Sequence, residues 1–213
     1  MEYRWKLDPP AEPDAVRRLA DEINVPQTIA AILVNRGIDT FEKAKAYFRP
    51  SLDLLHDPFL MDGMGRAVSR VLRARQLREK ILLLGDYDVD GTNGTAMLYL
   101  FLRSLDFDVL LHIPDRIKEG YGISTTGIDR GKEFGATLMI AVDCGITAVE
   151  QVEYAATLGL DVIICDHHLP TSRLPSAHAV LDPLKPGCMY PFKGLCGCGV
   201  AYKLIQGICT RLS

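Results

Sequence analysis

The sequence predicts an α/β fold in which a mostly parallel sheet is flanked by helices and preceded by a small helical N-terminal region. From residue 81 onward, short continuous apolar runs alternate with helical segments, the pattern of parallel strands that are buried on both faces. Residues 1–78 instead carry apolar residues at helical spacing. We therefore predict a helical region over residues 1–78 and an α/β domain over residues 79–213, a division that suits the chain length.

The N-terminal region is predicted to contain four helices. They correspond to the segments DAVRRLADEI, TIAAILVNRG, DTFEKAKAYFRP and MGRAVSRVLRARQLREK. Gly37 is placed to end the second helix. Asp39 or Thr40 is placed to cap the third helix, which stops at Pro50. The fourth helix is basic, and its arginines could line a nucleic-acid path. A solvated face is favoured, because charge runs are common on helices.

The α/β domain is predicted to contain five strands joined by right-handed crossovers. The apolar runs are ILLLGDYD, FDVLLHIPD, TLMIAVDCG, DVIICDHH and, more weakly, HAVLDP. Helical segments such as GTAMLYLFLRSL and TAVEQVEYAATLG separate several of these runs at the spacing of βαβ units.

Composition excludes several classes of protein. The formal net charge is −3, with 24 basic and 27 acidic residues, so overall charge does not indicate nucleic-acid binding. No run approaches the roughly 18 apolar residues of a membrane span, and the start MEYRWKLDPP lacks the apolar core of a secretory signal. We therefore expect a cytoplasmic protein without a membrane partner. The six cysteines include no CxxC pair and are interpreted as mostly buried thiols. A zinc site at Cys196 and Cys198 would lack a second pair of ligands.

Acidic and imidazole side chains follow three of the predicted strands. They are Asp86, Asp88 and Asp90 after the first strand, Asp143 after the third, and Asp166, His167 and His168 after the fourth. Ligands of open α/β sheets bind outside the carboxyl ends of the strands, so these side chains should meet at one edge. Carboxylates that lie close together stay ionised only if a positive charge neutralises them. Carboxylate and imidazole ligands favour Mn²⁺ or Mg²⁺, and we predict a site for two such cations.

Simpler interpretations exist for the same residues. A single Asp at a strand end is more often a helix cap or a turn residue. The stretch DYDVDGTNGTAM resembles part of a calcium loop but lacks the terminal Glu. A receiver domain also has acidic strand ends, yet it requires a strand-terminal Lys and does not use paired histidines. The three clusters together favour the cation site.

The motifs GDYDVDG, VDCGIT and CDHH resemble the successive motifs of the DHH phosphoesterase superfamily. Within it, IPDRIKEGYGIS, AVLDPLKP, LCGCGVAYKL and the helical N-terminal region with Trp5 are similar to the RecJ family of single-stranded-DNA-specific exonucleases. The resemblance covers nearly the whole chain. It implies metal-dependent hydrolysis of single-stranded DNA in the 5′ to 3′ direction, in DNA repair and recombination. It also implies a single-strand-binding protein and a recombination helicase as partners.

The resemblance further implies a role for each acidic and imidazole residue. The implied metal ligands are Asp88, Asp90, Asp143 and His167, with Asp143 as the bridging carboxylate. His168 is expected beside the cations and the scissile phosphate, as a ligand or a catalytic partner. Asp86 and Asp166 are expected to orient the ligands or to join them. Some relatives carry a His where this chain has Leu84, which cannot supply an imidazole.

Two glycine-containing segments are candidates for substrate contacts. In RIKEGYG, Arg116 and Lys118 offer phosphate contacts, and Tyr121 offers a flat surface on which a base could stack. A surface loop whose arginine pairs with local acids is an equal alternative. In GLCGCGVAYK, the glycines before a helix suit either an anion at the helix N-terminus or close packing of the helix on a strand.

Two other functions compete with the exonuclease. One is a phosphodiesterase or phosphatase for short oligonucleotides or small nucleotides, and the other is a non-catalytic nucleic-acid-binding module. Compared with the superfamily, the chain stops before a strand whose Asp completes the metal site and before a second, substrate-binding domain. We therefore expect an N-terminal fragment that binds Mn²⁺ weakly and is inactive as a nuclease.

Overall fold

The computed structural model describes residue 4 and residues 9–212. Trp5, which contributes to the sequence resemblance, lies outside the described residues. The chain divides into two compact units after Leu55. Residues 56–78, which the sequence groups with the N-terminal region, thus fall in the second unit. The predicted domain boundary after residue 78 stays a prediction.

The described residues of the first unit form three helices, α1 (Pro13–Ile23), α2 (Gln27–Asn35) and α3 (Phe41–Phe48), and a 3-10 turn at Leu52–Leu54. Gly37 has a φ of 77° just after α2, and the Thr40 hydroxyl accepts a hydrogen bond from Lys43 N at the start of α3. Both features confirm the predicted helix ends. The core of this unit consists of small and aliphatic side chains: Val16, Leu19, Ala20, Ala30, Leu33 and Ala44.

The second unit is a five-stranded parallel sheet with helices on both faces, which confirms the predicted fold class. Its strands are β1 (Lys80–Gly85), β2 (Val109–His112), β3 (Ala136–Val142), β4 (Asp161–Cys165) and β5 (Ala179–Leu181). Its helices are α4 (Met64–Leu77), α5 (Val89–Ser104), α6 (Thr125–Phe134), α7 (Val149–Thr157) and α8 (Gly197–Leu212), with a 3-10 turn at Pro58–Leu60. The strand order is β2-β1-β3-β4-β5, and every pairing is parallel. No helix in the described part of the chain is long and apolar enough to cross a membrane.

The central strands are mostly apolar because helices cover both faces of the sheet. Ile81 and Leu83 belong to the core formed with α4, α5 and α8, whereas Leu82 and Leu84 belong to the core formed with α6 and α7. All four side chains are fully buried. Each buried aliphatic side chain contributes about 1.5–3 kcal/mol, so these runs are a main source of stability for the unit.

The basic helix α4 uses one arginine inside the fold. Arg70 is buried and donates hydrogen bonds to Asp161 Oδ2 at 2.6 Å and to Glu79 Oε2 at 2.7 Å. Asp161 begins β4 and Glu79 precedes β1, so Arg70 ties α4 to the amino-end edge of the sheet. The remaining arginines of this segment are exposed, as the solvated-face interpretation requires: Arg66, Arg73, Arg75 and Arg78.

The two strands that follow β1 in the chain lie on opposite sides of it in the sheet. The chain leaves β1 through α5 to reach β2 on one side, and it returns through α6 to reach β3 on the other side. The connections of β1 and β3 therefore diverge, and such a switch point opens a ligand crevice at the carboxyl ends of a parallel sheet.

Helix α6 can lie close to β1 because Gly131 has no side chain. A Cβ atom at Gly131 would lie 2.6 Å from Leu82 Cδ2. Leu82 is fully buried, so neighbouring core side chains oppose its displacement. We expect Gly131→Ala to lower the free energy of unfolding by about 1–3 kcal/mol, as overpacking does. The matched control is Gly65→Ala in α4, where a Cβ atom would meet nothing within 4 Å. That change should be neutral or stabilising by up to about 1 kcal/mol. Urea denaturation of both variants measures the difference, and equal losses would contradict the close approach.

Candidate metal centre

Four aspartates follow four neighbouring strands in the same register. The last residues of these strands pair with one another across the sheet: Gly85, Val142, Cys165 and Leu181. The next residue in each case is an aspartate, and we call the four together the aspartate row: Asp86, Asp143, Asp166 and Asp182. The first three continue the backbone ladder, each N–H donating to the carbonyl of the neighbouring strand's last residue at 2.8–3.2 Å. All four aspartates are buried.

Asp143 buries a carboxylate oxygen that accepts no hydrogen bond. Its backbone φ of 62° lies in the left-handed region, which non-glycine residues seldom adopt and which often marks a functional site. Burial, followed by the charges of Asp90 and Asp88, raises the pKa of the Asp143 carboxyl to about 8. A carboxyl group in this state is ready to exchange its proton for a cation.

Asp86 and Asp88 flank Tyr87 at the start of α5. Asp88 Oδ1 accepts a hydrogen bond from Gly91 N at 2.9 Å, so Asp88 is the helix cap that the simpler interpretation predicts. Burial raises the pKa of Asp86 despite a hydrogen bond from the Tyr87 N–H. Asp86 Oδ1 is a second buried oxygen without a hydrogen-bond partner. Capping and cation binding are thus compatible, because Asp88 is exposed and keeps its other oxygen.

His167 faces two carboxylates. Its Nε2 atom lies 3.1 Å from Asp143 Oδ1 and 3.5 Å from Asp90 Oδ2, and no hydrogen bond joins it to the unpartnered Asp143 oxygen. Two neighbouring ligand atoms of an octahedral cation, each bound at about 2.1 Å, lie about 3 Å apart. The spacing between His167 and Asp143 therefore suits two ligands of one cation.

Asp90 contacts the N-terminus of α8. Its Oδ2 atom accepts a hydrogen bond from Gly197 N at 2.6 Å and its Oδ1 atom accepts one from Cys198 N at 2.8 Å. Burial would raise the pKa of Asp90, but hydrogen bonds from Cys198, Cys196 and Gly197 outweigh this effect and lower it. A side chain at Gly197 would overlap with Asp143. The N-terminus of α8 thus binds the chain's own Asp90 carboxylate, and the segment also packs closely, whereas a substrate anion at this terminus stays a prediction.

Asp166 is satisfied by the groups around it. Its Oδ2 atom accepts a hydrogen bond from Ile146 N at 2.8 Å. Its Oδ1 atom accepts hydrogen bonds from the backbone of His167 and His168 and lies 2.7 Å from His168 Nδ1. Burial would lower the pKa of His168, but the hydrogen bond to Asp166 and the nearby carboxylates raise it. Asp166 therefore fixes the backbone of both histidines and the ring of His168.

Two overlapping groups of side chains can each hold a divalent cation. One consists of Asp143, His167 and His168, and the other of Asp86, Asp88 and Asp143, with the ligand atoms of each group within 4.8 Å of one another. Carboxylate oxygen and imidazole nitrogen are ligands that suit Mn²⁺ and Mg²⁺. The two unpartnered oxygens, on Asp86 and Asp143, lie within the second group. These residues fit two divalent cations that share Asp143.

Two of the three predicted substrate residues contact the centre through aromatic rings. Arg116 lies over the ring of Tyr87 at 5.3 Å, and Tyr87 packs edge-on against Tyr121 with ring centroids 6.3 Å apart. The Tyr121 hydroxyl lies 3.3 Å from His168 Nε2. Burial, with the neighbouring carboxylates, raises the pKa of Tyr121. Lys118 is exposed in the same turn, and its ammonium group has no partner within the described part of the chain.

Two residues of the site were not among the sequence candidates. Tyr87 contacts Arg116 and Tyr121. The sequence feature that could have identified it is an aromatic residue inside the motif GDYDVDG. Asp182 is the fourth member of the aspartate row. The sequence feature that could have identified it is its position near the end of the predicted strand HAVLDP. Its Oδ1 atom accepts a hydrogen bond from Leu184 N at 2.6 Å, while Oδ2 accepts none. Burial raises the pKa of Asp182 to about 6.

Comparison with known proteins identifies relatives of the second unit and of the chain as a whole. Residues 80–212 match the family described as DHH family, N-terminal domain. The chain is 42% identical over 209 residues to the single-stranded-DNA-specific exonuclease RecJ of Bacillus subtilis, covering 98% of this chain and 26% of that protein. It is 33% identical over 204 residues to RecJ of Escherichia coli, covering 92% of this chain and 34% of that protein. The chain thus spans about a quarter to a third of these curated relatives.

Solved RecJ structures share the fold. RecJ of Thermus thermophilus in complex with Mn²⁺ matches with a TM-score of 0.76 and 29% identity, over 95% of this chain and 28% of that one. A crystal structure of exonuclease RecJ bound to manganese matches with a TM-score of 0.65 and 34% identity, over 72% of this chain and 39% of that one.

The raised pKa of Asp143 predicts a pH-dependent stability in the presence of a chelator. The folded protein keeps the Asp143 proton up to about pH 8, whereas the unfolded chain releases it near its ordinary pKa of 3.8. The stabilising contribution of the protonated carboxyl is therefore complete below about pH 4 and is lost as the pH rises to about 8. Asp143→Asn cannot titrate, and asparagine tolerates a positive φ. Between pH 5 and 8 it should gain stability over the parent protein by up to about 1.4 kcal/mol per pH unit.

Denaturant unfolding at several pH values measures this gap. Asp108→Asn, at an exposed position before β2, is the control and should follow the parent protein. A gap that does not change with pH would contradict the assignment to Asp143.

Proposed function

The chain belongs to the DHH family, and from that premise we propose that it carries the two-cation centre of an exonuclease that hydrolyses single-stranded DNA from the 5′ end. The observation that carries the proposal is the buried Asp143, whose Oδ1 atom accepts no hydrogen bond and which belongs to both ligand groups. The names of the curated relatives support single-stranded DNA as substrate, and the RecJ structures support Mn²⁺ or Mg²⁺ as cofactor. Because the chain spans only part of those relatives, the activity of the whole protein is itself proposed.

The proposed ligands follow the family resemblance, and the two ligand groups contain all of them except Asp90. The proposed metal ligands are Asp88, Asp90, Asp143 and His167. Asp86 supplies a further buried oxygen beside them, and Asp166 holds His168 toward the site of the scissile phosphate. When bound, divalent cations supply a water of lowered pKa and positive charge for the phosphoryl oxygens. The protein contributes fixed orientation, because backbone N–H groups and strand ends position each of these side chains.

The substrate contacts are proposed for the loop between β2 and α6. Arg116 would contact a phosphate and spread the charge that develops on it, while Lys118 would contact a neighbouring phosphate. Tyr121 would stack on a base. The structure supports this proposal over an ordinary surface loop, because Arg116 lies on Tyr87 and its guanidinium has no acidic partner within the described residues.

Two alternatives make different predictions for the whole protein. A phosphodiesterase for short oligonucleotides would release product only from dinucleotides and similar substrates. A binding module would hold single-stranded DNA without cleaving it. The unsatisfied oxygens of Asp86 and Asp143 favour catalysis, since a module without cations would leave two buried acceptors unpaired.

The wider setting of the function rests on the sequence alone. We include in the proposal a role in DNA repair and recombination, a cytoplasmic location, and partnership with a single-strand-binding protein and a recombination helicase.

The ligand roles predict a ranking of Mn²⁺ affinities. Asp143→Ala should weaken Mn²⁺ binding by about tenfold or more, because it removes an oxygen from both ligand groups. Asp86→Ala should weaken it less, since Asp86 belongs to one group. The control Asp108→Ala should leave the affinity unchanged. Titration calorimetry of the three variants tests the order, and a larger loss for Asp86→Ala would overturn it.

Activity is tested on the whole protein that contains this chain. With Mn²⁺ and a long single-stranded oligonucleotide labelled at either end, we expect mononucleotides to be released from the 5′ end first. Asp143→Ala should reduce the rate by at least about 100-fold, because metal binding is impaired, while Asp108→Ala should retain it. Cleavage confined to dinucleotides would favour the first alternative, and binding without cleavage would favour the second.

A further inference from the structure

The β2–α6 loop (residues 113–124) carries the three proposed substrate residues, and the Glu119 carboxylate fixes its geometry. The contacts begin at Asp115, the first residue of a tight turn in this loop. Its Oδ1 atom accepts hydrogen bonds from Ile117 N at 2.9 Å and Lys118 N at 3.1 Å. In return, Glu119 Oε1 accepts one from Asp115 N at 3.0 Å. These reciprocal contacts resemble a capping box and hold the backbone around Arg116 in one conformation.

The other oxygen of Glu119 binds the scaffold. Glu119 Oε2 accepts a hydrogen bond from the Ser124 hydroxyl at 2.6 Å and lies 2.9 Å from His112 Nε2. His112 is the buried last residue of β2, and Ser124 caps α6 through Gly127 N. One carboxylate therefore joins the turn to the strand before the loop and the helix after it.

The second neighbour of His112 determines which ring nitrogen accepts a hydrogen bond. Arg130 Nη1 lies 2.9 Å from His112 Nδ1, and a guanidinium can only donate. His112 Nδ1 is therefore an acceptor, and the proton lies on Nε2, from where it is donated to Glu119. Hydrogen bonds from Asp115 N and Ser124, with the smaller effect of His112, lower the pKa of Glu119 to about 2. Glu119 is an anion at neutral pH.

We infer that Glu119 is a positioning residue for the proposed reaction: it anchors the β2–α6 loop to β2 and α6 so that Arg116 and Tyr121 are held at the metal centre for the substrate. The contacts at the far side of the loop agree with this role, since Arg116 lies on Tyr87 and the Tyr121 hydroxyl lies 3.3 Å from His168 Nε2. The inference rests on the proposed function, because it assigns Glu119 to the handling of that same substrate.

The negative charge of Glu119 makes the inference testable, because a purely electrostatic effect and a positioning role predict opposite changes in DNA affinity. Glu119 is negative and lies three residues from Arg116 in a loop that is proposed to bind a polyanion. If its charge were all that mattered, Glu119→Gln should tighten binding of single-stranded DNA, since one repulsive charge is lost. If Glu119 positions the loop, the same change should weaken binding, because the amide group cannot accept all three hydrogen bonds.

The test measures the affinity of the whole protein that contains this chain for a 5′-phosphorylated, hydrolysis-resistant phosphorothioate dT oligonucleotide, by fluorescence anisotropy in Mn²⁺. Glu119→Gln should weaken binding by about threefold to tenfold, as expected for one or two lost hydrogen bonds. Mn²⁺ affinity should stay within about twofold of the parent, because Glu119 lies outside both ligand groups. The matched control is Glu133→Gln on α6, which removes an exposed charge and should leave binding equal or slightly tighter.

A double-mutant cycle with Arg116→Ala separates positioning from general loosening. In the Arg116→Ala background, Glu119→Gln should cost less than it does in the parent protein, because one of the two groups that it positions is gone. Equal or tighter binding by Glu119→Gln, or an undiminished loss in the Arg116→Ala background, would overturn the inference. If Glu119→Gln does not fold, Ser124→Ala removes one of the same hydrogen bonds without a change of charge and should also weaken binding.

Failure of the proposed function gives a different result from failure of this inference. If the whole protein does not bind the oligonucleotide with Mn²⁺ present, the substrate assignment itself is wrong and the inference falls with it. If the whole protein binds and its Glu119→Gln variant binds equally well, the proposed function stands and only the positioning role is refuted.

Discussion

The register of a parallel sheet places four buried carboxyl groups side by side, and the rest of the site compensates for that crowding. Neighbouring strands are about 4.8 Å apart, so charges on the aspartate row would repel strongly in a buried setting. Asp166 is stabilised by N–H groups and His168, whereas Asp182 keeps one unsatisfied oxygen. Asp86 and Asp143 also keep an oxygen without a partner. Asp86 and Asp143 flank the β1–β3 switch point, where the fold opens a crevice.

Helix α8 reaches this crevice only because of glycine. Gly197 and Cys198 donate their N–H groups to Asp90, and the first N–H groups of a helix need such acceptors. The partial positive charge of the helix terminus stabilises Asp90 as an anion without any cation. A helix terminus thus supplies the positive charge for Asp90. Asp86 and Asp143 keep raised pKa values, and bound cations would supply the positive charge for them.

The sequence predicted the strands and the acidic residues at their ends, because continuous apolar runs and their polar ends are local features. It could not predict the register between strands, which depends on strand order. Asp182 therefore went unrecognised as a member of the aspartate row, although its strand was predicted. Tyr87 was missed because its role depends on contacts with residues 29 and 34 positions away, Arg116 and Tyr121. The pairing of Asp90 with α8 joins residues 107 positions apart, and no local pattern encodes it.

The charge of the chain imposes a last constraint on how a polyanionic substrate could bind. The whole chain carries a formal charge of −3, and the acidic residues of the metal centre are part of that excess of negative charge. Attraction must therefore come from cations in the centre and from the few basic groups beside it. Under the proposed function, Arg116 and Lys118 are those groups, and the turn that carries them is held by Glu119. The geometry of that turn, rather than overall charge, would then determine where a nucleic acid strand lies.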